Sequence, residues 1–229
     1  MSDPLDLKKH IRNVKDFPIK GIEFRDITSL IETPEAFRKT CDALVRITKN
    51  FAADLVVSVE SRGFIFAGHI ASDLRLPFVL ARKPGKLPNA TYKKSFDLEY
   101  GSTSIEIQKN TEIKKGQKVV IIDDLVATGG TAIACAELLT ENFKIERTDI
   151  LLLCVIDLPD LGGSEKLTLQ GYNVETLISY FAAVRLNFFV YSQGDKKLPS
   201  PETDSDTKLF GKIKLRRQLT MASGVPDPP

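Results

Sequence analysis

Residues 118–131 have the sequence KVVIIDDLVATGGT, and this stretch decides the predicted fold class. Its residues 119–122 are four consecutive β-branched apolar residues, the pattern of a strand that is buried on both faces. Two aspartates follow, then a short loop rich in glycine and threonine, and then residues 132–139 with the spacing of a helix. With the other strand and helix patterns of the chain, this stretch predicts an α/β fold with a mainly parallel, twisted sheet flanked by helices.

The loop after the two aspartates has the composition of a phosphate-binding site. Its glycines let the backbone approach a ligand closely, and the start of the following helix adds unpaired N–H groups with partial positive charge. Thr128 and Thr131 add hydroxyl donors. Two carboxylates would repel a phosphate, so Asp123 and Asp124 are expected to accept hydrogen bonds from ribose hydroxyls instead.

This stretch is neither a P-loop nor a dinucleotide fingerprint. It lacks the lysine of G-x-x-x-x-G-K-[ST] and it lacks G-x-G-x-x-G. The plainer alternative is a buried strand followed by a polar turn and a helix cap. The order of the acid pair and the Thr-Gly-Gly-Thr sequence at one strand end favours a ligand site over that alternative.

A second strand end carries a similar arrangement. Residues 55–59 form a short apolar run, and Glu60, Ser61, Arg62 and Gly63 lead from it into a predicted helix that ends near Leu74. The guanidinium of Arg62 matches the oxygens of a diphosphate. The alternative is a structural arginine that is paired with Glu60 or Asp73.

Two further segments are candidates for covering a ligand. Phe24 lies in a segment interrupted by proline and glycine, where a phenylalanine alone is more often a core residue than a stacking platform for a flat ring. Residues 82–101 carry several lysines and show no strong periodicity, which predicts a mobile cationic lid loop. Residues 5–15 predict a weak amphipathic helix.

Composition restricts the class of protein. Hydrophobic residues make up 42% of the 229 residues and the net charge is +2, which does not indicate nucleic acid as a partner. The apolar run at 181–191 is too short to span a bilayer, so no membrane partner is expected. Three widely spaced cysteines and the lack of a signal peptide predict a cytoplasmic protein. The predicted folded domain covers residues 1–180, and residues 181–229 are predicted to be a partly disordered C-terminal extension.

Four stretches together resemble the adenine phosphoribosyltransferase family, one of the type I phosphoribosyltransferases. They are residues 21–27 (GIEFRDI), 60–64 (ESRGF), 82–88 (RKPGKLP) with 95–101 (SFDLEYG), and 119–131. The second and fourth are shared widely among phosphoribosyltransferases, whereas the first and third point to adenine. The resemblance covers roughly residues 10–180.

The resemblance implies a purine salvage enzyme that transfers the 5-phosphoribosyl group from phosphoribosyl pyrophosphate (PRPP) to adenine. It implies Glu99 and Arg62 as catalytic residues, and Mg²⁺ bound mainly through PRPP, with no protein metal site. The substrate-binding residues that it implies are Phe24, Arg25, Leu158, Ser61, Lys83, Lys86, Tyr100, Asp123, Asp124, Ala127, Thr128, Gly129, Gly130 and Thr131.

The resemblance also implies how the partners are arranged. Phe24 and Leu158 would lie on the two faces of adenine, and the N-terminal segment and the Leu158 region would form a small hood over the base. The protein would be a homodimer with Arg82 reaching across the interface. Two alternatives stay open: a regulatory protein of the same fold that senses PRPP or purine, and an enzyme acting on hypoxanthine or guanine. The presence of both the phosphate-side and base-side residues favours catalysis on adenine.

Overall fold

The computed structural model of the chain describes residues 3, 5–17, 20–98 and 101–181. The strands are β1 (Arg12–Lys15), β2 (Glu23–Asp26), β3 (Leu55–Val59), β4 (Phe78–Ala81), β5 (Thr91–Leu98), β6 (Gly101–Gln108), β7 (Val119–Val126), β8 (Ile150–Asp157) and β9 (Asn173–Ser179). The helices are α1 (Thr28–Ile31), α2 (Pro34–Phe51), α3 (Gly63–Leu74), α4 (Gly130–Phe143) and α5 (Gly163–Leu169), with short 3-10 turns at Lys8–His10, Arg147–Asp149 and Pro159–Leu161. Within these residues, no helix is long and apolar enough to cross a lipid bilayer.

A five-stranded sheet organises the fold, in the order β4-β3-β7-β8-β9. All of its pairings are parallel. Strands β3 and β8 are buried at every position, as their uninterrupted apolar sequences predict. The predicted α/β fold with a mainly parallel sheet is therefore confirmed.

Each face of the sheet packs against its own apolar core. Ile121 of β7 joins the core on the side of α4, while its neighbour Ile122 joins the core on the side of α2 and α3. This division follows from the alternation of side chains along a strand. Helices therefore cover both faces, and the carboxyl edge of the sheet is left for the loops that follow the strands.

The segment expected to be an irregular lid contains a regular strand. Residues 91–98 form β5, which pairs in antiparallel register with β6 from Thr91↔Gln108 onward. The sequence hides this strand because Lys94 interrupts its apolar face. Lys94 is neutralised by Glu137 at 3.0 Å and Glu141 at 2.6 Å, both on α4, so the hairpin packs on that helix. The expectation of an irregular segment is therefore wrong over residues 91–98.

The N-terminal prediction of an amphipathic helix over residues 5–15 is also wrong. After one 3-10 turn, residues 12–15 form β1, which pairs antiparallel with β2. Leu7 and Ile11 are buried as the helical spacing required, but Val14 is 37% exposed. In place of the helix, residues 12–15 pair with β2, and Arg12 forms an ion pair with Asp26 at 3.0 Å.

Candidate active site

The loops after β3, β7 and β8 meet at the carboxyl edge of the sheet. Since the three strands are parallel neighbours, their ends lie side by side, as in other open α/β sheets that bind ligands at this edge. The three loops are the turn 60–62 after β3, the loop 127–129 after β7 and the segment 158–162 after β8. They include six of the residues that the sequence singled out, namely Ser61, Arg62, Ala127, Thr128, Gly129 and Leu158.

An ion pair joins the turn after β3 to strand β7. The Nε of Arg62 lies 2.7 Å from Oδ2 of Asp124, which is 6% exposed. The guanidinium carbon of Arg62 lies 5.7 Å from the ring centroid of Phe24 on β2. The structure thus brings a predicted base-binding residue, a predicted diphosphate ligand and a predicted ribose ligand together. The alternative pairing of Arg62 with Glu60 is wrong.

Glu60 instead holds the segment that follows β4. Its Oε2 lies 3.0 Å from Nε of Arg82 and accepts a hydrogen bond from the backbone N–H of Lys83 at 3.2 Å. Arg82 also donates to the carbonyl of Lys86 at 3.0 Å. Glu60 therefore places Lys83 beside the turn that carries the exposed Ser61, whereas the side chain of Lys86 is exposed. Sequence reasoning missed this role of Glu60, because its partner lies 22 residues away and no local pattern signals the pairing.

Gly63 allows the turn after β3 to approach β7 closely. A Cβ at this position would lie 2.8 Å from the carbonyl oxygen of Ile122 and 2.8 Å from Oγ of Ser58, and 3.0 Å from Cα of Asp123. The hydroxyl of Ser58 already donates to that same carbonyl at 2.9 Å. The first residue of α3 is therefore pressed against the strand that carries the acid pair, which lets Arg62 reach Asp124.

The loop after β7 has the form of an anion site. Gly129 has φ +80°, a backbone conformation that favours glycine, and α4 begins at Gly130 with no acidic residue in its first turn. The N-terminal N–H groups of α4 therefore keep their partial positive charge. Thr128 is exposed and Thr131 is partly exposed, so their hydroxyls are accessible, while Ala127 is buried.

The two aspartates of β7 lie in different environments. Burial, and then the neighbouring Asp124 carboxylate, raise the pKa of Asp123 well above its ordinary value. The backbone N–H of Asp124 donates to Oδ1 of Asp123 at 2.8 Å, which opposes this rise only in part. An acid with a raised pKa at a ligand-binding edge is a frequent feature of active sites.

Replacing Asp123 with asparagine is expected to stabilise the fold while it impairs ligand binding. The raised pKa means that the charged carboxylate destabilises the native state, so the contribution of Asp123 to the free energy of unfolding falls as pH rises from about 4 through the raised pKa. Asp123→Asn removes this fall. The Tm difference between variant and parent should grow from near zero at acid pH to a few degrees at pH 7, at roughly 2–4 °C per kcal/mol. Melting curves between pH 4 and 8 measure it, and a parallel pH dependence in both proteins would contradict the assignment.

The base-side residues lie on β2 and directly after β8. Arg25 is buried, pairs with Glu23 at 3.1 Å and places its guanidinium carbon 4.3 Å from the ring centroid of Tyr180. Since alternate side chains of a strand face opposite sides, this anchoring fixes the orientation of Phe24, which is partly buried. Leu158 is 5% exposed, and its N–H donates to the carbonyl of Val126 at 3.0 Å.

Two of the predicted site residues are not placed. Glu99 and Tyr100 lie outside the described residues, between β5 and β6 in the sequence. Arg82, which was expected to reach across a dimer interface, binds Glu60 of its own chain.

Comparison with known proteins agrees with this geometry. A family model described as a phosphoribosyl transferase domain matches residues 27–166. Those residues contain the turn after β3, the acid pair of β7 and the loop 127–129. The fold and the strand-end site therefore define the class of protein as the phosphoribosyltransferases.

Individual relatives narrow the class. Adenine phosphoribosyltransferase of Actinobacillus pleuropneumoniae serotype 5b (strain L20) is 47% identical over 178 residues, which are 77% of this chain and 97% of that protein. The crystal structure of adenine phosphoribosyltransferase from Thermoanaerobacter pseudethanolicus has 39% identity and a TM-score of 0.69, covering 76% of this chain and 98% of that one. The enzyme from Saccharomyces cerevisiae, solved with an imino-altritol bisphosphate and adenine, has 37% identity and a TM-score of 0.68, covering 76% and 97%. The chain belongs to the adenine phosphoribosyltransferase family.

Proposed function

We propose that this protein is a purine salvage enzyme that transfers the 5-phosphoribosyl group from PRPP to adenine, forming AMP and pyrophosphate. The observation that carries the proposal is the ion pair between Arg62 and Asp124. It joins the residue suited to a diphosphate to the residue suited to a ribose, beside Phe24 and the glycine loop. The relatives named above, which share 37–47% identity over most of their length, carry the same activity in their names.

PRPP would lie along the carboxyl edge of the sheet, with each part on its own loop. The 5′-phosphate binds the loop and helix start formed by Ala127, Thr128, Gly129, Gly130 and Thr131. The ribose hydroxyls bind Asp123 and Asp124, and the pyrophosphate binds Ser61, Arg62, Lys83 and Lys86. This division keeps the carboxylates on hydroxyl donors and the cations on phosphate oxygens.

Adenine would lie between Phe24 and Leu158, with the backbone of Arg25 at its edge. A phenyl ring offers a large flat surface to a heteroaromatic base. Tyr100 would belong to the closing lid, and Glu99 would be the acid/base that accepts the proton of the incoming base. General base assistance of this kind typically contributes about 10²–10⁴-fold to the rate.

The reaction forms the bond between N9 of adenine and C1′ of the ribose, and it breaks the bond between C1′ and the pyrophosphate oxygen. Positive charge develops on the sugar, and negative charge on the leaving pyrophosphate. The protein therefore acts by aligning the two reactants and stabilising those charges. Arg62 and Lys83 stabilise the leaving group, and closure of the lid limits hydrolysis of PRPP.

The residues at this edge also fit Mg²⁺. Carboxylate oxygens are ligands that Mg²⁺ prefers, and Mg²⁺ usually combines one or two of them with substrate phosphates and water. Asp123 and Asp124 place carboxylate oxygens beside the ribose, while the ion itself would be bound mainly through the phosphates of PRPP. When bound with PRPP, the ion would neutralise charge on the pyrophosphate.

The proposal extends to the domain bounds, the oligomeric state and the location of the protein. We propose that residues 1–180 form the catalytic domain, since the relatives align over nearly their whole length with only about three quarters of this chain. Residues 181–229 would be an extension, of which only Phe181 is described. A homodimer and a cytoplasmic location remain predictions from the resemblance and the sequence.

A comparison of bases tests the proposed function. The purified protein with PRPP and Mg²⁺ is supplied with adenine, hypoxanthine or guanine, and nucleotide formation is followed by chromatography. We expect AMP from adenine, and kcat/KM at least about 10²-fold lower for the 6-oxo purines, because the base site would meet a carbonyl where it binds an amine. Binding of PRPP without any nucleotide product would favour the regulatory alternative, and efficient formation of IMP or GMP would refute the specificity.

A further inference from the structure

The phosphate loop is in direct contact with the start of α5. The backbone N–H of Gly163 donates to the carbonyl of Ala127 at 2.9 Å, and the Nζ of Lys166 lies 3.4 Å from the carbonyl oxygen of Thr128. These contacts continue the association of β7 with β8 beyond the ends of the strands. They fix the outer side of the loop from a helix that itself provides no proposed ligand.

Gly163 lacks space for any side chain. A Cβ at this position would lie 2.3 Å from the carbonyl oxygen of Ala127, 2.5 Å from the backbone nitrogen of Gly129 and 2.8 Å from the carbonyl carbon of Thr128. All three are backbone atoms, so no side-chain rotation relieves the overlap. The reason for glycine here is this contact, since Gly163 does not have a positive φ.

The contact is reciprocal. A Cβ on Gly129 would lie 3.0 Å from both Cα and the carbonyl oxygen of Gly163. Gly129 and Gly163 therefore face each other where the phosphate loop meets the start of α5, and the lack of a side chain on each lets the two backbones approach. Gly163 also donates a hydrogen bond to Ala127, and a Cβ on it would overlap backbone atoms of all three loop residues from Ala127 to Gly129.

We infer that Gly163 is a positioning residue for the phosphate loop: its missing side chain sets the conformation in which the loop presents its N–H groups to the 5′-phosphate. The inference rests on the proposed function. A methyl group at position 163 would push the loop backbone outward, and hydrogen bonds weaken steeply as their distance and angle depart from the optimum. The loop would remain folded but would hold the phosphate poorly.

The contact between Gly163 and the phosphate loop also connects this loop to Leu158, which is proposed to contact the base. Gly163 follows the short turn Pro159–Leu161, which begins next to Leu158, and Leu158 itself is hydrogen-bonded to Val126. The distance between the base and the 5′-phosphate is therefore set partly by the contact between Gly163 and the phosphate loop. Small errors in such alignment reduce the rate of a reaction that depends on positioning.

Two fragments of PRPP separate the effect on the loop from a general effect. Binding of ribose 5-phosphate reports on the phosphate loop. Binding of pyrophosphate reports on Arg62, in the turn after β3, and on Lys83, which follows β4. Calorimetry on Gly163→Ala is expected to show a dissociation constant for ribose 5-phosphate raised tenfold or more, about the effect of losing one charge-assisted hydrogen bond. The constant for pyrophosphate should change less than about twofold, and KM for PRPP should rise more than kcat falls.

The matched control is Gly68→Ala. Gly68 lies within α3, has no positive φ, and a Cβ there meets no atom within 4 Å, so both constants should remain unchanged. If Gly163→Ala fails to fold, Lys166→Met serves instead, since it removes an exposed contact to Thr128 and should raise the constant for ribose 5-phosphate alone.

The outcomes separate the inference from the proposed function. Unchanged affinity for ribose 5-phosphate in a folded Gly163→Ala protein overturns the inference, and so does an equal loss of affinity for both fragments. In either case the intact protein still binds ribose 5-phosphate and forms AMP. An intact protein that neither binds ribose 5-phosphate nor forms AMP would refute the proposed function itself.

Discussion

Asp124→Asn is expected to lower kcat/KM for PRPP by roughly 10²–10³-fold. The buried Asp124 carboxylate lies 2.7 Å from Nε of Arg62 and, in the proposed complex, also accepts hydrogen bonds from the ribose hydroxyls. The Arg62 side chain has only hydrogen-bond donors, and asparagine has a single acceptor oxygen. If this oxygen accepts from Arg62, the NH₂ group faces the ribose hydroxyls; if it faces the ribose, the NH₂ group faces Arg62. One or two charge-assisted hydrogen bonds are lost, each contributing about 1.5–3 kcal/mol. Steady-state kinetics with varied PRPP measure the effect.

Glu141→Gln is the matched control for this variant. Glu141 is also a carboxylate paired with a cation, Lys94 at 2.6 Å, but its side chain is 54% exposed and lies on α4 away from the strand ends. Exposed pairs contribute little, so kcat/KM should change less than about twofold. Similar losses in the two variants would show that Asp124 has no special part in the reaction.

Gly63→Ala is expected to lower both stability and activity. The added methyl group would overlap the carbonyl oxygen of Ile122 and approach Cα of Asp123, and neither backbone atom can rotate away. Overpacking of this kind typically destabilises a protein by about 1–3 kcal/mol, which corresponds to roughly 2–4 °C of Tm per kcal/mol in a protein of this size. The same displacement moves Arg62 away from Asp124. Activity of the folded protein should therefore fall by about tenfold or more.

Thermal melting and kinetics on the same preparation separate these two effects. Gly68→Ala, five residues further along α3, introduces the same methyl group into open space. It should keep full activity and raise stability by about 0.5–1 kcal/mol, as alanine does in a helix interior. If Gly63→Ala melted at the parent temperature with full activity, the tight contact between α3 and β7 would be refuted.

The central architecture could be predicted because its signals are local. The apolar runs of β3, β7 and β8 each identify a buried strand on their own. Parallel strands then bring the residues after them to one edge, which is why Arg62 and Asp124 could be expected near each other.

Other features depend on partners that are distant in sequence. Lys94 in the apolar face of β5 hid a strand, since only Glu137 and Glu141 of α4 make a lysine acceptable there. The pairing of Glu60 with Arg82 is non-local in the same way. Gly163 is one of several glycines near turns, and only the packed backbone of the phosphate loop distinguishes it from them.

Formation of AMP by the purified protein decides whether it transfers the phosphoribosyl group from PRPP to adenine. Adenine, PRPP and Mg²⁺ are incubated with the intact protein and, in parallel, with Asp124→Asn, and AMP and pyrophosphate are quantified over time. We expect equal amounts of the two products from the intact protein, and a rate of formation that is at least about 10²-fold lower in the variant. An intact protein that binds PRPP and adenine but forms no AMP would contradict this expectation.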